Sequence, residues 1–417
     1  MNTAFGQRLT AIGRSQHSER INMRFVFVTC LVMLSVAHAD EGFRAIGKDP
    51  RTGTAHAVLV TSGGLAYSGQ MLPLDRDGKL IEGDAAKQLT GLMERLPVHP
   101  VDCAKVNFYV ANPEVTNVVQ EWLSKTLKYE RQPAVSFVQT RLPLPGALVA
   151  VDLISAGGGS PSRMRFKDWP RTSLIESRIA HEAHLKAGPR VYVSGQAEKG
   201  KTLAEATRLT LEGLRKTLSH LELGLDDVVQ VKCFLTPMEQ VADVQREIVE
   251  FFAPVTNVLN PVFAPPCVFV EWQSTLPIEI ELVVAARPQA GKPEPLEFIT
   301  PPGTTASPVF CRVVRANDPR TIFVSGLFAK EGADGAGQVN DVFAQLLEIL
   351  KASGSDLRHL AKATYYVSDN DASAKFNELR PKFYDPARPP AASKAHVLGV
   401  GLAGRSLTLD MIAVPTR

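Results

Sequence analysis

Tyr192-Val193-Ser194-Gly195-Gln196 is the stretch on which the fold turns, because its pattern occurs three times. Ala66-Tyr67-Ser68-Gly69-Gln70 precedes it and Phe323-Val324-Ser325-Gly326-Leu327 follows, at a period of roughly 120 residues. Each is a short strand running into a turn, then a glycine-containing loop, then an amphipathic helix. The helical stripes are Ala86, Leu89, Leu92, Met93, Leu96; Leu203, Ala206, Thr210, Leu214, Leu218; and Val339, Val342, Phe343, Leu346, Leu350. Steps of three and four put each set on one face against a core. Thr202 and Glu205 read as a capping box at the start of the second of these helices.

Outward from there the same order recurs. A β-branched or aromatic strand follows each helix, over 105–110, 230–235 and 362–367. A second helix follows each strand. Asn112-Pro113 and Thr236-Pro237 set a capping side chain before a proline, Glu239 suggests another capping box, and 368–371 supply a polar start in the third copy. Two strands close each copy, the last over 148–154, 278–284 and 407–412. The order β-β-α-β-α-β-β predicts an α/β unit with a mixed sheet and both helices on one face. The other sheet face needs cover, and a neighbouring copy is the cover available. Copy one is read as 43–156, copy two as 163–287 and copy three as 309–415. A Gly-rich linker lies between the first two, and a Pro-rich linker over 288–308 precedes the third.

Residues 1–39 read as a secretory leader. Arg24 precedes an apolar run from Phe25 to Val36, and Ala37-His38-Ala39 is a small-residue cleavage site. The run is short for a permanent span, and Met23 is a candidate alternative start. The expected location is periplasmic or extracellular, with no membrane association after leader removal. Of 46 basic and 43 acidic side chains, the leader carries Arg8, Arg14, Arg20, Arg24 and Glu19, so the mature chain is charge-balanced. A neutral chain without a basic cluster is a poor partner for nucleic acid. Cys103, Cys233, Cys267 and Cys311 remain, with no CxxC spacing and no nearby histidine. They read as buried free thiols rather than zinc ligands. His181, Glu182 and His184 sit close in sequence without helical ligand spacing, so no metal and no cofactor is expected.

The strand-Ser-Gly-Gln-loop-helix pattern, and the closing strand with Ile278-Glu279-Ile280-Glu281, resemble the RidA family, also called YjgF/UK114 and once labelled L-PSP endoribonuclease. The resemblance is strongest in copy two and weakest in copy one. It implies homotrimer-like packing, with sheets facing a three-fold axis and ligand clefts between neighbours. Three tandem copies would then form a monomeric pseudo-trimer whose clefts can diverge.

Active members resemble imine or enamine deaminases. The resemblance implies an arginine on the fourth strand gripping a substrate carboxylate, a glutamate on the last strand acting on water, and an asparagine on the second helix. The arginine position falls at Ala134, near Pro265 and at Ala392; the glutamate position at Ala150, Glu279 and Thr408; the asparagine position near Val119, at Gln245 and at Asn377. No copy carries the full set. Glu279 is the catalytic candidate. Cys267, Asn377, Arg388 and Arg131 are candidates for binding a small ligand in a composite cleft between copies. The expectation is a divergent hydrolase; the alternative is a non-catalytic module that binds a small ligand or a partner.

Overall fold

The structure, a computed structural model, describes residues 42–61, 63–127, 132–157, 170–253 and 264–416. The leader reading and Arg131 lie outside these residues. The first third of the described chain runs β1 (Phe43–Ile46), β2 (Ala57–Val60), β3 (Gly64–Ser68), α1 (Ala85–Arg95), β4 (Cys103–Val110), α2 (Pro113–Thr126), β5 (Ala134–Gln139) and β6 (Val149–Gly157). The second runs β7 (Glu182–Leu185), β8 (Arg190–Gln196), α3 (Leu203–His220), β9 (Val228–Leu235), α4 (Val241–Phe252), β10 (Cys267–Glu271) and β11 (Ile278–Ala285). The third runs β12 (Leu296–Ile299), β13 (Val313–Ala316), β14 (Thr321–Val324), α5 (Gly335–Ala352), β15 (Leu360–Val367), α6 (Asn370–Leu379), β16 (Ala391–His396) and β17 (Leu407–Ala413). None of the described helices is long and apolar enough to cross a membrane.

The helix starts follow from capping chemistry. Asn112 Oδ1 accepts from Val115 N and Asp369 Oδ1 from Ala372 N, each satisfying an orphan first-turn donor. Thr202 Oγ1 accepts from Glu205 N, but the Glu205 carboxylate reaches back one residue further than a capping box requires, to Lys201 N. Glu239 makes no box. It pairs with Arg141 at 2.6 Å, and the carboxylate of Glu271 takes the Met238 N–H at 3.0 Å. The Pro-rich stretch over 288–308 is not wholly irregular, because Leu296–Ile299 pairs with β13.

Three mixed sheets result, ordered β5-β4-β6-β3-β7, β10-β9-β11-β8-β13-β12 and β1-β2-β14-β17-β15-β16. In each, the strands before and after the second helix are parallel, and the last strand inserts antiparallel beside them. Leading strands are exchanged in a cycle. β2 pairs with β14, β7 with β3 and β13 with β8. The second copy therefore lends β7 to the sheet of the first, the third lends β13 with β12 to the second, and the first lends β2 with β1 to the third. Residues 57–60 and 321–324, at opposite ends of the chain, become neighbours and close the ring.

Each sheet buries one face under its own helices and the other against its two neighbours. Val60, Ile154, Tyr192, Val283, Phe323 and Ile412 form one shared apolar cluster, and Tyr109, Phe234, Val268, Tyr366 and Ala395 belong to another. Between them lies a polar layer. Lys105, Gln230 and Lys362 occupy equivalent points on β4, β9 and β15 and reach across in the same rotational sense. Lys105 Nζ donates to Val324 O at 2.5 Å, Gln230 Nε2 to Ser68 O at 2.8 Å, and Lys362 Nζ to Glu281 Oε1 at 2.7 Å. Three acids sit at equivalent points on the last strands. Asp152 accepts from Asn107 and Tyr109, Glu281 from Lys362, and Asp410 lies 3.1 Å from Lys105. Lys232 Nζ lies 3.9 Å from Asp410 and 5.9 Å from the ring centroids of both Tyr109 and Tyr366. Burial alone would raise the Asp410 carboxyl, but Lys105, Lys232 and Lys362 hold it at about 2.

A buried pair is expensive to break, because one charge is then left without compensation. Lys362→Met leaves Glu281 uncompensated and is expected to destabilise the fold by about 3–5 kcal/mol in urea unfolding. Asp410 has its folded value below its unfolded one near 3.8, so its contribution is complete above pH 4 and disappears as pH falls through about 2. Asp410→Asn should remove that part of the acid limb in stability measured against pH.

Candidate functional site

Three junctions repeat around the axis. At each, the Ser-Gly turn after one marker strand meets the fourth strand of the next copy. Gln70 N donates to Cys267 O at 2.9 Å, Gly326 N to Val135 O at 2.8 Å, and Gly195 N to Ser393 Oγ at 3.0 Å. The last strand of the first contributor faces the same turn. The residue it presents differs: Ala150 at the first junction, Glu279 at the second and Thr408 at the third.

Pairing registers fix which residues are equivalent. Ala392 lies opposite Ala363, Val135 opposite Val106 and Cys267 opposite Val231. The counterpart of Ala392 in the first copy is thus Val135. Ala134, one residue earlier, is fully buried in the axial cluster.

Only the Glu279 junction carries a carboxylate at this point. Glu279 lies opposite Phe234, so it shares the axial face of β11 with Glu281. Burial, and next the charge of Glu281, push its carboxyl up to about 7; the Ser393 hydroxyl and the Arg312 guanidinium pull the other way. Gly195 makes the space. A Cβ there would stand 1.9 Å from Glu279 Oε1.

Arg312 immediately precedes β13. A parallel bridge pairs Cys311 with Ala391, which sets Arg312 beside Ala392. Its guanidinium lies 5.0 Å from the Phe310 ring centroid, and its Nε is buried without a hydrogen-bond partner. The main chain is pinned by Ser194 N donating to Arg312 O at 2.9 Å. Sequence reading missed this arginine by seeking it on the fourth strand itself. The available signal was position: His56, His181 and Arg312 are equivalent, each with its carbonyl accepting from the neighbouring Ser-Gly turn.

The other candidates are spread out. Lys394, two residues after Ala392, donates to Asn377 Oδ1 at 3.1 Å and Ser373 Oγ at 3.0 Å. Burial, with Arg380 nearby, pushes the Lys394 ammonium down. Arg388 stacks 5.3 Å from the Phe298 ring centroid, and its Nε and Nη2 are buried without hydrogen-bond partners. Cys267 does not share the Glu279 junction. Its thiol bonds Pro265 O at 3.2 Å within the core between sheet and helices, and burial pushes it up. The two residues belong to one copy, but a junction takes its last strand from one copy and its fourth strand from the next.

The remaining junctions hold small cavities whose linings include Glu176 at the first and the Asp49–Arg51 pair at the third. Gln70, Thr172, Ser173, Gln245 and Phe269 line a cavity of about 150 Å³ at the first. His56, Gln120, Val135, Ser325 and Gln345 line one of about 120 Å³ at the third, where Thr408 Oγ1 is buried without a partner. His184 contacts Glu182 on β7, yet the described residues hold no group of three metal-ligating side chains. All four described cysteines are buried and free.

The family model described as Endoribonuclease L-PSP matches residues 175–286 and 304–414, more than half of the chain. A YjgF-family protein from Neisseria meningitidis is 23% identical over 29% of this chain and 94% of its own, with a TM-score of 0.22. A Rid-family protein from Yersinia pestis is 21% identical over 28% of this chain and 99% of its own, with a TM-score of 0.25. A YjgF/YER057c/UK114 member from Mycobacterium tuberculosis is 22% identical over 22% of this chain and 77% of its own, with a TM-score of 0.21. No functionally curated protein matches.

Gly195→Ala is expected to drive the Glu279 carboxylate out of its buried position. Its titration midpoint should fall from about 7 toward the ordinary range near ~4.3, read by carbon-13 NMR of labelled glutamate.

Proposed function

Because the chain belongs to the Endoribonuclease L-PSP family, also called YjgF or Rid, we propose that the Glu279 junction is the one retained reaction site, hydrolysing small imines or enamines. The observation that carries this is a carboxylate packed against the Gly195 turn beside the Ser393 hydroxyl and the Arg312 guanidinium, where burial pushes it up to about 7. A general base is most effective when its midpoint is near the working pH. Glu279 accepts a proton from water as the new C–O bond forms at the imine carbon and the C=N electron pair moves to nitrogen. Glu279 returns that proton to the nitrogen, giving a carbinolamine, then takes the carbinolamine hydroxyl proton and passes it to the amino nitrogen as the C–N bond breaks, so ammonia leaves and a carbonyl remains. Arg312 is the cation within reach of an anionic substrate group. Ala392 offers none, which separates this arrangement from the set implied by the resemblance.

The other two junctions, with Ala150 and Thr408 in place of the carboxylate, support binding without turnover. This is the second reading for the protein as a whole. The leader-like residues 1–39 support export of the mature chain as a pseudo-trimeric monomer.

The test is ammonia release from freshly generated 2-imino acids. Turnover is expected to rise with pH through about 7, because the ionised carboxylate is the base. Glu279→Gln should reduce it by roughly 10²–10⁴-fold. Absence of turnover, with thermal stabilisation by the same compounds, would instead favour the binding module.

A further inference from the structure

The axial layer and the Glu279 junction meet at one residue. Glu279 and Glu281 are two apart on β11 and share its axial face, so their Cα atoms stand on the order of 7 Å apart. Glu281 is 3% exposed and fixed by Lys362 Nζ of the third copy at 2.7 Å, itself tied to Thr364 Oγ1 at 2.7 Å. Its cross-strand partner is Lys232, and Asp410 lies beyond. On the other side, Glu279 faces Arg312, the Ser393 hydroxyl and the Gly195 turn, with Phe234 opposite.

The other two junctions lack this arrangement. Gln230 reaches only a main-chain carbonyl, whereas Lys105 pairs with Asp410 at 3.1 Å much as Lys362 pairs with Glu281 at 2.7 Å. Asp152 and Asp410 occupy the positions of Glu281, but the residues two earlier are Ala150 and Thr408, which carry no carboxyl. The axial acid has a second carboxyl two residues before it on its own strand only where the junction keeps its glutamate.

We propose that Glu281, clamped by Lys362 from the neighbouring copy, is a positioning residue whose fixed negative charge adds to burial in opposing the ionisation of Glu279. Like charges in a poorly solvated setting oppose ionisation of one another. Lys362 holds the Glu281 carboxylate in place at 2.7 Å, so the two carboxyls of β11 are not interchangeable. The role of Glu279 in chemistry rests on the hydrolase reading above; the electrostatic link does not.

The test titrates Glu279 in the full mature chain by carbon-13 NMR of labelled glutamate, with Glu279→Gln identifying the signal. Glu281→Gln is expected to lower the Glu279 midpoint on the order of one unit, and Glu281→Asp, which keeps the charge, to hold it within about 0.3 unit. If Glu281→Gln alone does not fold because Lys362 is left unpaired, the double variant Glu281→Gln/Lys362→Met is expected to lower the midpoint by less than the single one but in the same direction, because loss of the more distant ammonium acts in the opposite sense. An unmoved midpoint in the folded glutamine variant overturns the proposal, even if ammonia release falls. A lowered midpoint in a protein that releases no ammonia supports the proposal and removes the hydrolase reading.

Discussion

Everything in this molecule depends on burying the second face of each sheet. The helices cover one face only, and the opposite face carries Tyr109, Phe234 and Tyr366 among other large apolar groups. A single copy would leave that surface in water. Three copies solve the problem for one another, and the polar layer between the apolar clusters fixes how they meet. Lys105, Gln230 and Lys362 each hand a hydrogen bond to a neighbour in the same rotational sense. A slip along the axis would leave buried ammonium groups without partners, at a penalty that apolar packing alone would not impose.

The exchanged leading strands act in the same direction. Because β2, β7 and β13 sit on neighbouring sheets, backbone hydrogen bonds as well as side chains hold the copies together. The same geometry brings each Ser-Gly turn against the next copy, and that contact creates the junctions. Joining the copies in one chain allows the junctions to differ. One keeps a carboxylate on its last strand beside a guanidinium, and two present small polar cavities without an acid at that strand position.

The local architecture was legible because its signals are local. Helical stripes at three- and four-residue steps and β-branched runs located the helices and core strands, and Asn112 caps where its sequence context indicated. The partners of the leading strands were not legible. A strand's alternation shows which face is buried, not which sheet it joins, so the cyclic exchange left no mark on the pattern. β12 hid inside a Pro-rich stretch because its pairing with β13 overrides composition. Glu279 could be read from the last strand. Arg312 could not, because it comes beside Ala392 through a bridge between residues 80 apart in sequence. The separation of Cys267 from Glu279 depends on the same inter-copy geometry.

The account holds that the three copies share one core and cannot unfold singly. Differential scanning calorimetry of the mature chain tests this most directly. It predicts one transition whose calorimetric and van't Hoff enthalpies agree. Separate transitions, or a calorimetric enthalpy about three times the van't Hoff value, as expected for three independent units, would contradict it.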